Sequence, residues 1–371
     1  MGYDRLNKGE VRIGQELPYA VYDAYGKLLL REGYIIASAY QLDNLMRRGM
    51  YRRREDENSR TRAVSAYRES PFLRLQVLSQ RLTGLQVAIA AGQTEAAAGM
   101  RRLSKDIQRL CEEAPDALLA AVHLVHEDLY TTYHPLHRGI LCELVGAQLD
   151  LPLERRLSVM SAALTANIAI LELQNQLYEQ KAPLSPEQKL KIHAHPSESV
   201  RLLKAAGVDD QLWLDVVLQH HERINGEGYP LGLKAPLIIE EANLLAVMDR
   251  YTAMVSSRSY RKSMMATAAL RKFLLQAGGE FDEKLSLLLI KQLGIYPPGT
   301  FVKLINGEMA VITKRNQKGS MQPQASSFIS PRGGMFANPL RRDCSLKEYA
   351  IKEVCELDDN IKLNLHVLWG Y

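Results

Sequence analysis

Apolar residues recur at helical spacing through most of this chain. From Pro71 to about Leu293 the pattern is helical throughout: Leu73, Leu75, Val77, Leu78, Leu82 and Leu85 share one broad face, and Gly92 and Thr94 separate that helix from the next. Helices are predicted around His123, His134 and Leu164, and over Gln211–His220, Glu240–Ser256 and Phe281–Leu293. Ser185-Pro186-Glu187-Gln188 combines a helix cap, a first-turn proline and a glutamine at capping-box spacing. Both ends read differently. Tyr19–Tyr22 and Lys27–Leu30 flank a turn-like Asp23–Gly26, with a third short strand expected at Tyr34–Ile36, then a helix opened by Ser38 and closed by Gly49. After Pro297-Pro298-Gly299 a hairpin is predicted from Phe301–Leu304 and Met309–Ile312 around Asn306-Gly307; loops are expected from Lys318 to Pro339, and a last strand at Lys362–Trp369. The expected fold is mainly α. A small β-rich unit (1–50) and an Arg-rich linker or solvated helix (51–70) precede a helical domain (71–295), and a β-rich appendage (296–371) follows it.

Composition narrows the function classes. A net charge of +5 over 371 residues is too mild to argue for DNA binding, which calls for a concentrated basic face. The N-terminus lacks a secretory apolar region and no run is read as long enough to span a membrane, so a cytoplasmic protein is expected. Cys111, Cys142, Cys344 and Cys355 show no CxxC spacing, which favours reduced, packed thiols. The basic run Arg47, Arg48, Arg52, Arg53, Arg54 includes an RxxxR spacing that could grip phosphates, but it reads better as solvated.

The densest chemistry lies in His220-His221-Glu222-Arg223-Ile224-Asn225-Gly226-Glu227-Gly228-Tyr229-Pro230. Two adjacent imidazoles can ligate a metal, and the glycines let backbone approach a ligand closely. Hydrolysis of a phosphodiester at neutral pH is well served by two metals roughly 4 Å apart that share a bridging water. Such a site needs imidazoles and a bridging carboxylate. His123, His126 and His137 lie near these motifs and read as packed or exposed histidines; His193 and His195, two apart on a helix, point different ways.

The HHE…GxGYP string resembles the HD-GYP family of cyclic di-GMP phosphodiesterases, and the resemblance covers about residues 120–295. It implies an HD-domain helical bundle and, position by position, metal ligands at His134, His195, His220, His221 and Asp249. Where the family has Leu-Leu-His-Asp-Ile-Gly-Lys, this chain reads Leu164-Thr165-Ala166-Asn167-Ile168-Ala169-Ile170; the metal-binding His is Ala166 and the bridging Asp is Asn167. One implied metal therefore keeps only His134 and Asp249, while the other keeps all three histidines. Arg258 and Arg261, in a stretch similar to the family's RxYR, and Arg223 with Gly226, Gly228, Tyr229 and Pro230 in the loop, are the implied ligand-binding residues.

The resulting expectation is a degenerate HD-GYP protein without catalytic residues at the HD dyad. It would act as a cyclic di-GMP sensor or partner-binding regulator, with at most one transition metal (Fe, Mn or Zn). Two alternatives stay open. One is a weak or altered phosphodiesterase using a single three-histidine metal. The other is a pure interaction module docking a GGDEF-type diguanylate cyclase. Three histidines plus water already form a competent zinc-type site; the opposing reading is a packed relic without metal. Homodimerisation through the apolar helices before His123 is a further expectation, against the simpler reading of those helices as bundle core.

Overall fold

A computed structural model describes the chain apart from residues 1–2, 7–10, 12–16, 18, 24–27, 32, 35, 37–41, 43–45, 47–49, 54–68, 127–128, 257–262, 277–280, 316–321 and 359–360. Two compact units are present, Met1–Glu69 and Ser70–Tyr371.

The first unit is a small sheet of order β1-β4-β2-β3, with β1 Tyr3–Arg5, β2 Val21–Tyr22, β3 Leu28–Leu30 and β4 Tyr51–Arg53. The predicted hairpin is present as the antiparallel β2–β3 pair. Two expectations change. Tyr34 and Ile36 are not strand, and Tyr51–Arg53, read as linker, pairs antiparallel with both β1 and β2. The helix expected from Ser38 and the bulk of the Arg-rich run, including Arg47, Arg48 and Arg54, fall outside the described residues.

The second unit is a helical bundle carrying a five-stranded sheet. Its helices are α1 Pro71–Ala90, α2 Glu95–Glu113, α3 Pro115–Leu124, α4 Tyr130–Gln148, α5 Leu153–Thr165, α6 Leu171–Glu179, α7 Pro186–Ala205, α8 Gln211–Gln219, α9 Glu240–Val255, α10 Ala266–Gln276 and α11 Glu283–Leu293. The predicted cap at Ser185 is realised in full: its hydroxyl accepts the Gln188 amide, and the Gln188 side chain accepts the Ser185 amide. One continuous core joins the faces of these helices, including Leu82, Met100, Ile107, Ile140, Leu164, Val217, Leu245 and Leu289. Each such side chain contributes about 1.5–3 kcal/mol by leaving water. The segment Leu153–Glu179 is long and apolar enough to cross a membrane, contrary to the sequence reading. In the fold it is broken by a 3-10 turn at Ile168–Ile170, and 67% of its most apolar window is buried in the bundle.

The C-terminal sheet has order β8-β7-β6-β5-β9, with β5 Phe301–Leu304, β6 Met309–Lys314, β7 Gln324–Ile329, β8 Met335–Asp343 and β9 Ile351–Val354. The Asn-Gly hairpin is β5–β6. Within the expected loop region 318–339, β7 is a central strand, and the edge strand β8 begins there and runs past it. The expected last strand is instead a helix, Leu365–Trp369, capped by the Asn364 side chain and ended by Gly370 at φ +79°. The sheet packs on the bundle through Val311, Phe328 and Leu368 with Leu124, and through the Arg315–Asp116 ion pair at 2.5 Å.

Candidate metal and ligand site

Five segments of the bundle bring the site together. α4 supplies His134 and, one turn later, Arg138. The end of α5 supplies Ala166 and Asn167, α7 supplies His195, the end of α8 supplies His220 and His221, and α9 supplies Asp249.

His195, His220 and His221 form a group whose candidate ligand atoms lie within 4.8 Å of one another. Local backbone sets their orientation. Pro196 has no amide proton, so the carbonyl of Ile192, four residues earlier, loses its helical donor. His195 Nδ1 donates to that carbonyl at 2.5 Å. His220 Nδ1 donates to Val217 O at 2.7 Å, one of the last carbonyls of α8 and therefore without an intrahelical partner. Both Nδ1 atoms are thus protonated, and the two Nε2 lone pairs face each other across 3.3 Å. Two acceptors at that distance repel unless a cation lies between them, which is the arrangement of imidazoles oriented for a metal. Burial, with neighbouring imidazoles adding to it, lowers the His195 pKa to about 3 and places His220 well below the ordinary value; burial likewise lowers His221 to about 4. All three are neutral at physiological pH, as metal ligation requires. The donor set fits one transition metal ion.

The other half of the site is different. Arg138 is fully buried (0% exposed), and its guanidinium donates from Nη1 to Asp249 Oδ1 at 2.5 Å and to Asn167 Oδ1 at 3.4 Å, and from Nε to Ala163 O at 2.8 Å. Its Nη2 is buried without a hydrogen-bond partner among the described residues. His134 Nδ1 lies 3.9 Å from the same Asp249 oxygen. Burial opposes ionisation of Asp249, but Arg138, then His134, His221 and His220, outweigh it and hold the carboxyl well below the usual carboxylate range.

The two halves open on a cleft of about 180 Å³ lined by Tyr130, His134, Asn167, His195, His221, Tyr229 and Asp249 among others. Tyr229 reaches it from the glycine loop. Its ring lies 4.8 Å from His221 and is stacked at 4.4 Å and 10° on His193, so His193 supports the loop tyrosine while His195 faces the histidine cluster. Tyr130, which also lines the cleft, packs on His134 and stacks on Tyr178. The loop is held by Glu222, 3% exposed, whose carboxylate accepts the amides of Leu231 at 2.7 Å and Leu233 at 2.8 Å. Gly226 sits at φ +82°, and a Cβ on Gly228 would collide with the backbone of Glu222 and Arg223.

His134, His195, His220, His221, Asp249 and Tyr229 are therefore brought together. Arg223, Gly226, Gly228 and Pro230 shape the loop and do not line the cleft. Arg258 and Arg261 lie outside the described residues. His123 is a packed histidine, bonded to Tyr251 Oη at 2.9 Å and to Pro298 O at 2.8 Å. Sequence reasoning missed Arg138, Glu222, Tyr130 and Tyr178. Arg138 had a signal, its spacing of one helical turn from His134; Tyr178 had none.

Residues 119–285 match the HD domain family. The chain is 32% identical over 218 residues to the cyclic di-GMP phosphodiesterase PA4108 of Pseudomonas aeruginosa, covering 59% of this chain and 52% of that protein. It is 24% identical over 200 residues to the cyclic di-GMP phosphodiesterase PdeB of Borreliella burgdorferi, covering 54% and 52%. The chain thus spans about half the length of the curated relatives it matches. The solved structure of Bd1817, a HDG"Y"P protein from Bdellovibrio bacteriovorus, superposes with a TM-score of 0.54 at 17% identity, over 78% of this chain and 99% of that one, a likeness of fold.

Proposed function

We propose, on the premise that residues 119–285 match the HD domain family, that the protein is a cytoplasmic cyclic di-GMP signalling protein that binds the dinucleotide at a one-metal site and does not hydrolyse it as a two-metal phosphodiesterase would. The observation that carries this reading is the asymmetry of the site. Three neutral imidazoles are oriented for one ion, while the position next to them offers the neutral amide of Asn167 where a bridge between two ions calls for a carboxylate. When bound, the metal supplies a positive charge for a phosphate oxygen. The chain's own residues do the rest: His195 and His220 are fixed by backbone carbonyls, and the Tyr229 and Tyr130 rings wall a cleft that suits a guanine face. The names of the relatives that match this domain, cyclic di-GMP phosphodiesterases, support the choice of ligand.

The test is calorimetry with cyclic di-GMP and metal analysis on one sample, followed by incubation with excess Mn(II) or Fe(II). The expected result is saturable binding, one metal per chain and intact dinucleotide. Turnover at the rate of two-metal relatives overturns the reading in favour of an enzyme.

A second reading, docking of a signalling partner such as a diguanylate cyclase on the glycine loop, draws on Leu231 and Leu237, which follow the loop in the chain and are 56% and 68% exposed. It predicts partner capture that is lost on Leu231→Asp and indifferent to metal.

A further inference from the structure

We propose that Arg138 is a built-in replacement for a second metal ion: its guanidinium takes the ligands left for that ion and fixes the metal count of the site at one. This deepens the preceding proposal and rests on the same one-metal reading.

A guanidinium with no exposure needs acceptors to offset its lost hydration. The acceptors Arg138 has are the Asp249 carboxylate, the Asn167 amide oxygen and the Ala163 carbonyl. Asp249 and position 167 are two of the positions that the family resemblance assigns to one metal, and His134, a third, is 3.9 Å from the oxygen Arg138 holds. A divalent ion on His134 and Asp249 would have to compete with a permanent cation for one carboxylate oxygen, at a distance where like charges repel strongly.

The residues around the guanidinium agree with this. Ala163, Ala166 and Asn167 share one face at the end of α5. Arg138 bonds to the Ala163 backbone carbonyl and to the Asn167 side chain, so it spans the turn that carries the small Ala166. Asn167 is suited to the same exchange: one guanidinium and one carboxylate, Asp249, already balance in charge, and the amide adds an acceptor without adding charge. Arg138, with the replacements at Ala166 and Asn167, reads as one exchange of a metal for a side chain.

The test counts metal on the full chain. Protein is equilibrated with Mn(II), freed of excess ion, and measured by mass spectrometry for Mn and by electron paramagnetic resonance, which separates an isolated Mn(II) from a spin-coupled pair. Ala166→His with Asn167→Asp restores the missing ligands while Arg138 remains; one uncoupled ion per chain is expected. Adding Arg138→Leu to that variant is expected to raise the count to two, with a coupled signal. Two ions in the double variant overturn the proposal, as does a single ion in a triple variant with native circular dichroism. Where the triple variant does not fold, the double variant alone decides: one ion supports the exchange and two refute it. Absence of metal or dinucleotide binding in the natural protein would refute the one-metal sensor instead, since the difference between the double and triple variants still reports on Arg138.

Discussion

On one side of the cleft three imidazoles, kept neutral by burial, converge their nitrogens. On the other side Arg138 sits against Asp249 and Asn167, a cation with its acceptors already in place. The imidazole half comes from α7 and the end of α8, the arginine half from α4, the end of α5 and α9. They differ in where the positive charge comes from. The imidazole half depends on an ion from solution, and its affinity is set by competition with protons and other ions. The arginine half carries its charge in the covalent chain, so chelators and metal supply do not touch it.

The largest test of that contrast is Arg138→Leu in the natural background. Asp249 would be left as a buried carboxylate without its cation, and breaking such a pair costs about 3–5 kcal/mol. The midpoint of urea unfolding at pH 7 should fall accordingly. The loss should shrink in acid. Asp249 is held below its unfolded value, so its contribution is present above about pH 4 and is lost as pH falls through the folded value. A variant as stable as the parent would mean that the two halves do not differ in this way.

The next largest effect belongs to the imidazole half. His220→Ala should weaken metal binding by roughly 100-fold or more, since even partners that only orient a metal ligand are worth 10–100-fold. Titration with Zn(II) against a chromophoric competitor measures this. Unlike Arg138→Leu, the variant leaves no buried charge unpaired, so its loss of stability without metal should be the smaller of the two.

Protons sharpen the comparison further. His195 and His221 have folded pKa values of about 3 and 4, below an unfolded value of about 6.5. Between those limits the unfolded chain binds more protons than the folded one, so stability falls as pH falls. Each such imidazole contributes at most about 1.4 kcal/mol per pH unit. Melting temperatures in chelator should drop from pH 7 to pH 5, and His195→Asn should flatten the slope.

The smallest expected effect concerns the loop. Glu222→Gln keeps one oxygen acceptor and turns the other into an NH2 facing a backbone amide donor, so one of the two hydrogen bonds is lost and the other weakened, a loss of about 1 kcal/mol. Hydrogen exchange at Leu231 and Leu233 should quicken, while metal affinity stays as it was.

Much of the scaffold for these halves was legible. The capping box at Ser185 fixes where α7 begins, and the helical period placed His134, His195 and Asp249 inside helices. The misread segments have physical reasons. β7, Gln324–Ile329, is a central strand with five of its six residues buried, so serines that read as loop point into protein on both faces and no alternation shows. β8 contains Pro339, which argues against a central strand but is tolerated at a sheet edge. Leu365–Trp369 reads as a strand by its alternation, yet Asn364 and Gly370 cap it as one helical turn.

The amino-acid sequence by itself determined the donors and their local aim. Histidine before proline in α7 and paired histidines at the end of α8 each place an Nδ1 donor beside an unpaired carbonyl, because backbone geometry within a few residues decides that. It also determined that positions 166 and 167 carry no metal-binding histidine or carboxylate. Only the tertiary structure decided what stands there instead. Arg138 lies 111 residues from Asp249 and 29 from Asn167 along the chain, and a buried cation takes whichever acceptors the packing of α4, α5 and α9 leaves within reach.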